Sequence, residues 1–297
     1  MLMTGNRRER WIPYAVITPA LLLIVIFKLY PILNTIINSF IRKESFSFRN
    51  YQYIFEDPIF WNSLWVTFKF NIIITPVQII ISIGMALLVN VKMRGTSVFR
   101  TIYYLPVTIS MTVAAIIWNL MLNPSTGVVN SFLRLLGFSA QPFFTGVSQA
   151  LGSIMLLASW KGCGYWMMFL LAGLQGIDEE IYESARIDGA NWLQTTLRIT
   201  LPLLKNSLTF VIISDTTSNL LLFAPMFMIT KGGPQMSTNV LMYEIYKSSF
   251  IYADQARANA LMTIMLLIVA AIVITQFAML NRDSDVKRVR GKRGAKA

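Results

Sequence analysis

The sequence predicts an all-α integral membrane protein that crosses the bilayer six times. Of its 297 residues, 55% are hydrophobic and only 13% are charged, whereas charged residues make up about 25% of a soluble domain. Six apolar segments are each long enough to cross roughly 30 Å of hydrocarbon as a helix. Basic residues are concentrated in alternate segments between these spans, which is the pattern of a multi-pass membrane protein.

The six predicted spans form one membrane domain, residues 13–280. Several of them contain proline or glycine, which spanning helices tolerate because neighbouring helices satisfy the freed backbone groups. In chain order the predicted spans are 13–40, 64–91, 102–122, 149–174, 203–229 and 256–280.

The distribution of basic residues also predicts the orientation of the chain. With the N-terminus inside, most lysines and arginines outside the spans lie on the cytoplasmic side. The end segments, 1–12 and 281–297, and the polar segment 178–204 are then cytoplasmic. The basic tail is interpreted as a topology anchor near anionic lipid, and RNA binding by this tail is the less favoured alternative.

The polar segment 178–204 predicts a helix, a glycine turn and a second short helix. Its acidic start, 178–180, favours a helix N-terminus because negative charge there complements the helix dipole. Gly189 is placed to end this helix as a C-terminal cap. Asn191 can cap the second helix, and Pro202 marks the start of the next element.

Several kinds of chemistry have no residues to support them. The chain contains no histidine and a single cysteine, Cys163, which removes the commonest general base and any internal disulfide. It also lacks a glycine-rich phosphate loop, an HExxH motif and a GxSxG motif. The sequence therefore predicts that the protein is not an enzyme, holds no metal or cofactor, and does not hydrolyse nucleotide itself.

Two charged residues lie near the middle of predicted spans, where burial in lipid is costly. Lys161 is in the fourth span and Asp215 is in the fifth. They can be explained as an ion pair that closes the helix bundle, or as part of a polar path for a solute. Aromatic, hydroxyl and amide side chains nearby would suit a carbohydrate. These neighbours are Ser159, Trp160, Tyr165, Thr216, Thr217, Ser218 and Asn219.

The segment 178–204 resembles the EAA loop of the permease subunits of ATP-binding-cassette importers. The family pattern is E-A-A, three residues, Gly, nine residues, and I-x-L-P. The matching residues here are Glu183, Ser184, Ala185, Gly189, Ile199, Leu201 and Pro202. Ser184 is the one departure and replaces one small residue by another. Asp188 lies within the same segment and is included in the predicted coupling region.

The resemblance extends over nearly the whole chain and is similar to the carbohydrate branch of the family. The stretches NYQYIFEDPIFWNSLWVT, GTSVFRTIYYLP and MITKGGP carry it. The chain looks most like the first of the two paired permeases of the maltose/lactose/glycerol-phosphate type. One departure is Ala224, which stands where the family usually has an acidic residue. The resemblance implies a type I (MetI-like) fold with cytoplasmic coupling helices in a bacterial or archaeal plasma membrane.

The resemblance also implies partners and a transport path. The partners would be a sister permease that completes a heterodimer, two ATPase subunits that bind ATP and Mg, and an external sugar-binding protein. The EAA helices would dock into the ATPases, with Glu183 as a polar contact. The residues assigned to the substrate pathway are Ser159, Trp160, Lys161, Gly162, Tyr165, Asp215 and Asn219.

The cargo remains open at this stage. A neutral sugar site does not require two charged residues, so an acidic saccharide with Lys161 as its counter-charge is one hypothesis. Glycerol phosphate or a peptide is an alternative cargo for the same kind of permease. A membrane enzyme or a channel is the alternative from another functional class.

Overall fold

A computed structural model describes residues 7–42, 44–91 and 93–294, with side chains described for these residues except 7–12, 15 and 281–294. Most of the described residues are helical. They form two compact units. The first contains the residues up to Pro58 together with Ile245–Leu266, and the second contains Ile59–Glu244 and the residues from Leu267 onward.

The first unit begins with a long helix that leads into a small hairpin. Its elements are α1 (Arg7–Ile24), a π-helical turn (Val25–Leu29), α2 (Tyr30–Ser39), β1 (Ile41–Arg42), β2 (Ser45–Phe46) and α3 (Arg49–Glu56). The strands are antiparallel, with Ile41 opposite Phe46. Buried Asn50 fixes the hairpin, because its amide donates to the Ser39 carbonyl at 2.8 Å and to the Ile41 carbonyl at 3.3 Å.

The second half of the first unit contains the π-helical turn Lys247–Ile251 and the start of α14 (Gln255–Gly294). An ion pair of 2.6 Å joins Arg257 of α14 to Asp57, which directly follows α3. The Arg257 guanidinium also donates to the Ser248 hydroxyl at 3.2 Å. These contacts join the two chain segments that make up this unit.

The second unit contains most of the helices. Its helices are α4 (Pro58–Val89), α5 (Thr96–Thr108), α6 (Met111–Met121), α7 (Val128–Leu135), α8 (Ala150–Gln175), α9 (Glu179–Ile187), α10 (Trp192–Thr195), α11 (Leu201–Leu203), α12 (Lys205–Leu220) and α13 (Leu241–Tyr246). Of these, α4 and α8 are the longest that lie almost wholly within the unit. Pro58 of α4 and the last two residues of α13 belong to the first unit, whereas α14 from Leu267 onward belongs to the second. Apolar side chains of α4, α8 and α12 form a buried cluster that includes Ala86, Val89, Met167, Leu170, Leu171, Leu174 and Val211.

Four helices in the described part of the chain are long and apolar enough to cross a membrane. They are Val16–Ser39, Pro58–Val89, Ala150–Gln175 and Gln255–Leu280. The number rises to six if each of two bent helix pairs forms one span. The first pair is α5 and α6, bent by 96°, and the second is Trp192–Leu203 with α12, bent by 74°.

Within the predicted spans 102–122 and 203–229 the helix is interrupted. After α5 the chain is extended at Ile109, and Ser110 then caps α6 by accepting a hydrogen bond from the Val113 N–H at 3.3 Å. α12 ends at Leu220, and the chain leaves the helix before Pro225. Helical geometry resumes at Ala224. Pro225 is tolerated in the first turn of that helix, because a helix leaves the backbone N–H groups of its first turn without partners.

Candidate functional site

The helix, glycine turn and helix predicted from residue 178 onward are present. α9 begins after Asp178 with Glu179 and Glu180 in its first turn. Gly189 follows α9 with φ of 75°. The Gly189 N–H donates to the Arg186 carbonyl at 3.1 Å, and the Ala190 N–H donates to the Ala185 carbonyl at 2.9 Å. This pair of bonds is the Schellman motif, which satisfies the last carbonyls of a helix and reverses the chain.

The second helix of this segment has a complete N-terminal cap. The Gln194 N–H donates to the Asn191 side-chain oxygen at 2.8 Å, and the Asn191 N–H donates to the Gln194 side-chain oxygen at 3.0 Å. This capping box satisfies two backbone donors that a helix start otherwise leaves open. The Thr200 hydroxyl then donates to the Tyr182 hydroxyl at 3.3 Å. The two arms of the segment are thus held together by local hydrogen bonds.

Much of the surface of this segment is exposed. In the predicted coupling region, Glu183, Ser184, Asp188, Gly189 and Pro202 are exposed, Ile199 and Leu201 are half-buried, and Ala185 is buried. Large apolar side chains that the sequence interpretation did not single out are also exposed, among them Ile187 (86%), Trp192 (71%), Leu193 (57%) and Leu197 (54%). The occurrence of these large apolar residues in an otherwise charged stretch was the sequence signal for an exposed apolar surface. Clustered exposed apolar residues mark a surface that contacts another molecule.

On α8, the predicted pathway residues divide between two environments. Trp160 and Tyr165 are each 39% exposed, and Lys161 and Gly162 are half-buried. Ser159 is buried. Aromatic rings of α6, α8 and α12 pack beside these exposed side chains. The ring pairs are Trp160–Trp118 (5.7 Å), Tyr165–Phe169 (5.0 Å) and Phe169–Phe210 (5.2 Å) between centroids.

The proposed ion pair between Lys161 and Asp215 is absent. The Lys161 ammonium donates to the Val107 carbonyl at 3.1 Å, whereas buried Asp215 has Trp166 and Asn219 as its polar neighbours. One carboxylate oxygen of Asp215 has no hydrogen-bond partner among the described residues. The two side chains face different neighbours, so the ion-pair explanation is wrong.

A stripe of buried polar residues on α4 was not predicted. Its members are spaced four, four, three and four residues apart, so they lie on one face of the helix. They are Thr67, Asn71, Thr75, Gln78 and Ser82. This helical spacing of polar residues inside an apolar span was the signal in the sequence.

The stripe fastens α4 to α8 through the backbone of α8. The Gln78 amide donates to the Ala158 carbonyl at 3.0 Å. The Ser82 hydroxyl donates to the Cys163 carbonyl at 3.0 Å. Both bonds are buried, where an unpaired polar group would be costly.

The same stripe fastens α4 to α12. The Asn71 amide donates to the Thr216 carbonyl at 2.8 Å. Asn219 donates to the Gln78 side-chain oxygen at 2.8 Å and to the Thr75 hydroxyl at 3.2 Å. The Asn219 side chain is therefore buried and bonded to α4. Of the predicted pathway residues, those on the exposed aromatic side of α8 remain accessible to a solute.

The fold and this arrangement define a helical membrane protein with an exposed, locally rigid helix–turn–helix. Residues 78–283 match the family described as the binding-protein-dependent transport system inner membrane component. The chain belongs to this family of transport proteins.

Relatives support the assignment over almost the full length. The probable ABC transporter permease protein YurN of Bacillus subtilis is 30% identical over 94% of this chain and 99% of its own length. The sn-glycerol-3-phosphate transport system permease protein UgpA of Pectobacterium atrosepticum is 28% identical over 94% of this chain and 98% of its own length.

A solved structure shares the fold. It is the crystal structure of a bacterial ABC transporter involved in the import of the acidic polysaccharide alginate. The match has a TM-score of 0.85 and 25% sequence identity, and it covers 93% of this chain and 96% of that chain. A second crystal structure shows the alginate transporter in complex with a periplasmic protein that carries an alginate pentasaccharide.

Proposed function

We propose that this chain is a permease subunit of an ATP-binding-cassette importer that moves a sugar or oligosaccharide across the plasma membrane. The observation that carries the proposal is the segment from α9 to α11, which is capped at both helix junctions and exposed. A short helix that keeps its shape can transmit a push from a partner. The family membership and the sugar-importing structural neighbour support the same conclusion.

The proposal includes an arrangement in the membrane. Each bent helix pair would count as one span, which gives six spans over residues 13–280. Both termini and the α9–α10 segment would be cytoplasmic, because the basic residues are concentrated on that side. Transport would proceed by alternating access between inward-facing and outward-facing states.

The proposed partners supply the parts of the transport cycle that this chain does not carry out. A sister permease would complete a heterodimer and the solute path, and two ATPase subunits would bind ATP and Mg and dock against the α9–α10 segment. In this contact Glu183 would supply a polar interaction, and Ile187 and Leu193 would supply apolar area. An external binding protein would deliver the cargo, as the complex of the alginate transporter suggests.

The decisive experiment reconstitutes the wild-type chain with its sister permease, ATPases and binding protein in vesicles. Glu183→Gln is compared with Glu56→Gln, which changes an exposed carboxylate on α3. We expect Glu183→Gln to reduce ATP-driven uptake while the assembled complex stays folded, and Glu56→Gln to leave uptake unchanged. Normal uptake in a variant that combines Glu183→Gln with Gly189→Val would contradict the coupling role.

An acidic oligosaccharide is the more specific cargo that the site favours. Lys161 forms no ion pair with a described carboxylate, and it lies on the exposed aromatic side of α8 between Trp160 and Tyr165. Its charge is therefore available to an anionic group, while aromatic rings can stack on sugar faces. The alginate-importing neighbour supports this choice. Glycerol phosphate, which is also anionic, is the alternative cargo, because one relative is named for the transport of sn-glycerol-3-phosphate.

The cargo is tested by measuring uptake of uronate oligosaccharides, neutral oligosaccharides and glycerol phosphate. Lys161→Met is expected to raise the KM for the uronate cargo, and Lys161→Arg is expected to retain most of the wild-type preference. A transporter that accepts only neutral sugars, or a Lys161→Met variant with unchanged selectivity, would exclude the acidic-cargo assignment.

A further inference from the structure

A cleft of about 1110 Å³ lies in the second unit between the start of α5, the end of α8 and the α9–α10 segment. Its lining combines apolar and basic side chains. The apolar lining includes Leu87, Leu174 and Ile177. Among the residues that the structure describes, the charged lining consists of Arg94, Arg100, Arg186 and Glu179. The excess of positive charge indicates that the cleft suits an anionic ligand with an apolar part.

Two of the three arginines are available for such a ligand. The Arg100 guanidinium donates to the Val89 carbonyl at 2.9 Å and 3.3 Å, so it caps the end of α4. Arg94 and Arg186 are exposed and form no ion pair with a described residue. Guanidinium groups bind phosphate oxygens through paired hydrogen bonds. Arg94 and Arg186 therefore supply the recognition chemistry of the cleft.

The start of α5 adds to the positive potential that these arginines create. Its N-cap residue is Gly95, so no side chain caps the helix. The Thr96 hydroxyl donates instead to the carbonyls of Val91 and Met93. The amino end of a helix carries partial positive charge, and both Thr96 and Ser97 line the cleft.

Exposed apolar side chains lie beside the basic ones. Leu88 (69%), Val91 (49%) and Met93 (70%) are open around the end of α4 and the connection to α5. In the orientation given under the proposed function, on which this inference rests, they lie near the cytoplasmic leaflet. We propose that the cleft binds the phosphate of an anionic phospholipid from that leaflet, with an acyl chain against Leu87 and Ile177. Basic pockets at this level of a membrane protein recognise anionic headgroups.

Trp192 lines the cleft and supplies an optical reporter for the test. The full-length chain is placed in nanodiscs that contain brominated phosphatidylglycerol or brominated phosphatidylcholine, and Trp fluorescence quenching is measured. A Trp192→Phe variant identifies the signal of Trp192 among the 7 tryptophans. We expect stronger quenching of Trp192 by the anionic lipid, and a loss of roughly fivefold in that preference for each of Arg94 and Arg186 replaced by Gln.

Arg198→Gln is the matched control, because Arg198 is exposed on the same segment but does not line the cleft. It is expected to keep the wild-type lipid preference. Equal quenching by the two lipids, or a preference that survives Arg94→Gln combined with Arg186→Gln, would overturn the proposal. Loss of the preference in the presence of inorganic phosphate would instead identify a site for a free anion.

A last comparison separates lipid from protein as the occupant. The measurement is repeated on the transporter assembled with its ATPase subunits. A retained preference supports the lipid site, whereas its disappearance on assembly would identify the cleft as a protein interface. The quenching assay needs neither ATP nor cargo. Absent lipid preference with normal uptake therefore refutes only this inference, and absent uptake with a clear lipid preference refutes only the proposed function.

Discussion

Gly189 determines how the chain reverses between α9 and α10. Its φ of 75° is in the left-handed region, and no heavy atom lies within 4 Å of the position a Cβ would take. A larger residue is therefore opposed by the backbone conformation and not by crowding. For most residues this conformation costs about 1–2 kcal/mol, whereas Asn adopts it more readily.

Gly189→Val is accordingly expected to weaken the coupling of ATP hydrolysis to uptake, and Gly189→Asn is expected to stay close to the wild type. Both variants are compared by measuring uptake and ATPase activity in the same vesicles. Wild-type coupling of ATP hydrolysis to uptake in both variants would show that the left-handed turn is not needed for coupling.

Asn219 gives a prediction about stability. Its amide donates two buried hydrogen bonds to α4, so Asn219→Leu leaves the Gln78 side-chain oxygen without this donor. We expect the free energy of unfolding to fall by about 1–3 kcal/mol. Ser218→Ala, at an exposed neighbouring position, is the control. Thermal unfolding of the purified variants measures the difference, and similar unfolding temperatures for both would refute the structural role.

Single residues also show where sequence interpretation stops. The sequence placed Lys161 and Asp215 at similar depths, because depth follows from residue numbers along a helix. It could not give the direction each side chain faces, because that depends on how α8 packs. The structure directs Lys161 to the Val107 carbonyl of α5 and Asp215 to the neighbourhood of Trp166.

At the scale of elements, α9 and α10 were predictable because their determinants are local. An acidic first turn, a glycine and a capping asparagine lie within a few residues of the ends they define. The bend between α5 and α6 was not predictable in the same way. Pro106 is compatible with a continuous span or with a break, and the outcome depends on helices that are distant in sequence.

The exposed apolar residues of the α9–α10 segment give a prediction about assembly. Ile187→Ser combined with Leu193→Ser is expected to weaken binding of the ATPase subunits roughly tenfold or more, because apolar anchors carry much of the energy of an interface. Leu135→Ser on α7 is the control, since Leu135 is 84% exposed but lies on the predicted outer side. Binding is measured by titrating labelled ATPase into detergent-solubilised permease, and unchanged affinity would place the docking surface elsewhere.

At the scale of the whole molecule, the orientation can be tested with introduced cysteines. The native Cys163 is buried and should give little background labelling. Ser125→Cys, in a predicted outer loop, is expected to react with a membrane-impermeant maleimide in intact cells. Glu180→Cys, at the start of α9, is expected to react only after the membrane is opened. The reverse pattern would invert the orientation and the side from which ATPases could dock.

The way α4 is fastened to α8 has a consequence for how such a transporter can change its cargo during evolution. Gln78 and Ser82 bind the main-chain carbonyls of Ala158 and Cys163, and every amino acid carries a carbonyl. Side chains on α8 can therefore be exchanged at Lys161 or Tyr165 without removing the bonds that hold α8 to α4. Mutations of side chains on the exposed side of α8 can therefore alter cargo selectivity without breaking the contacts between α4 and α8. Lys161 and Tyr165 are accordingly suitable positions for directed evolution of cargo preference.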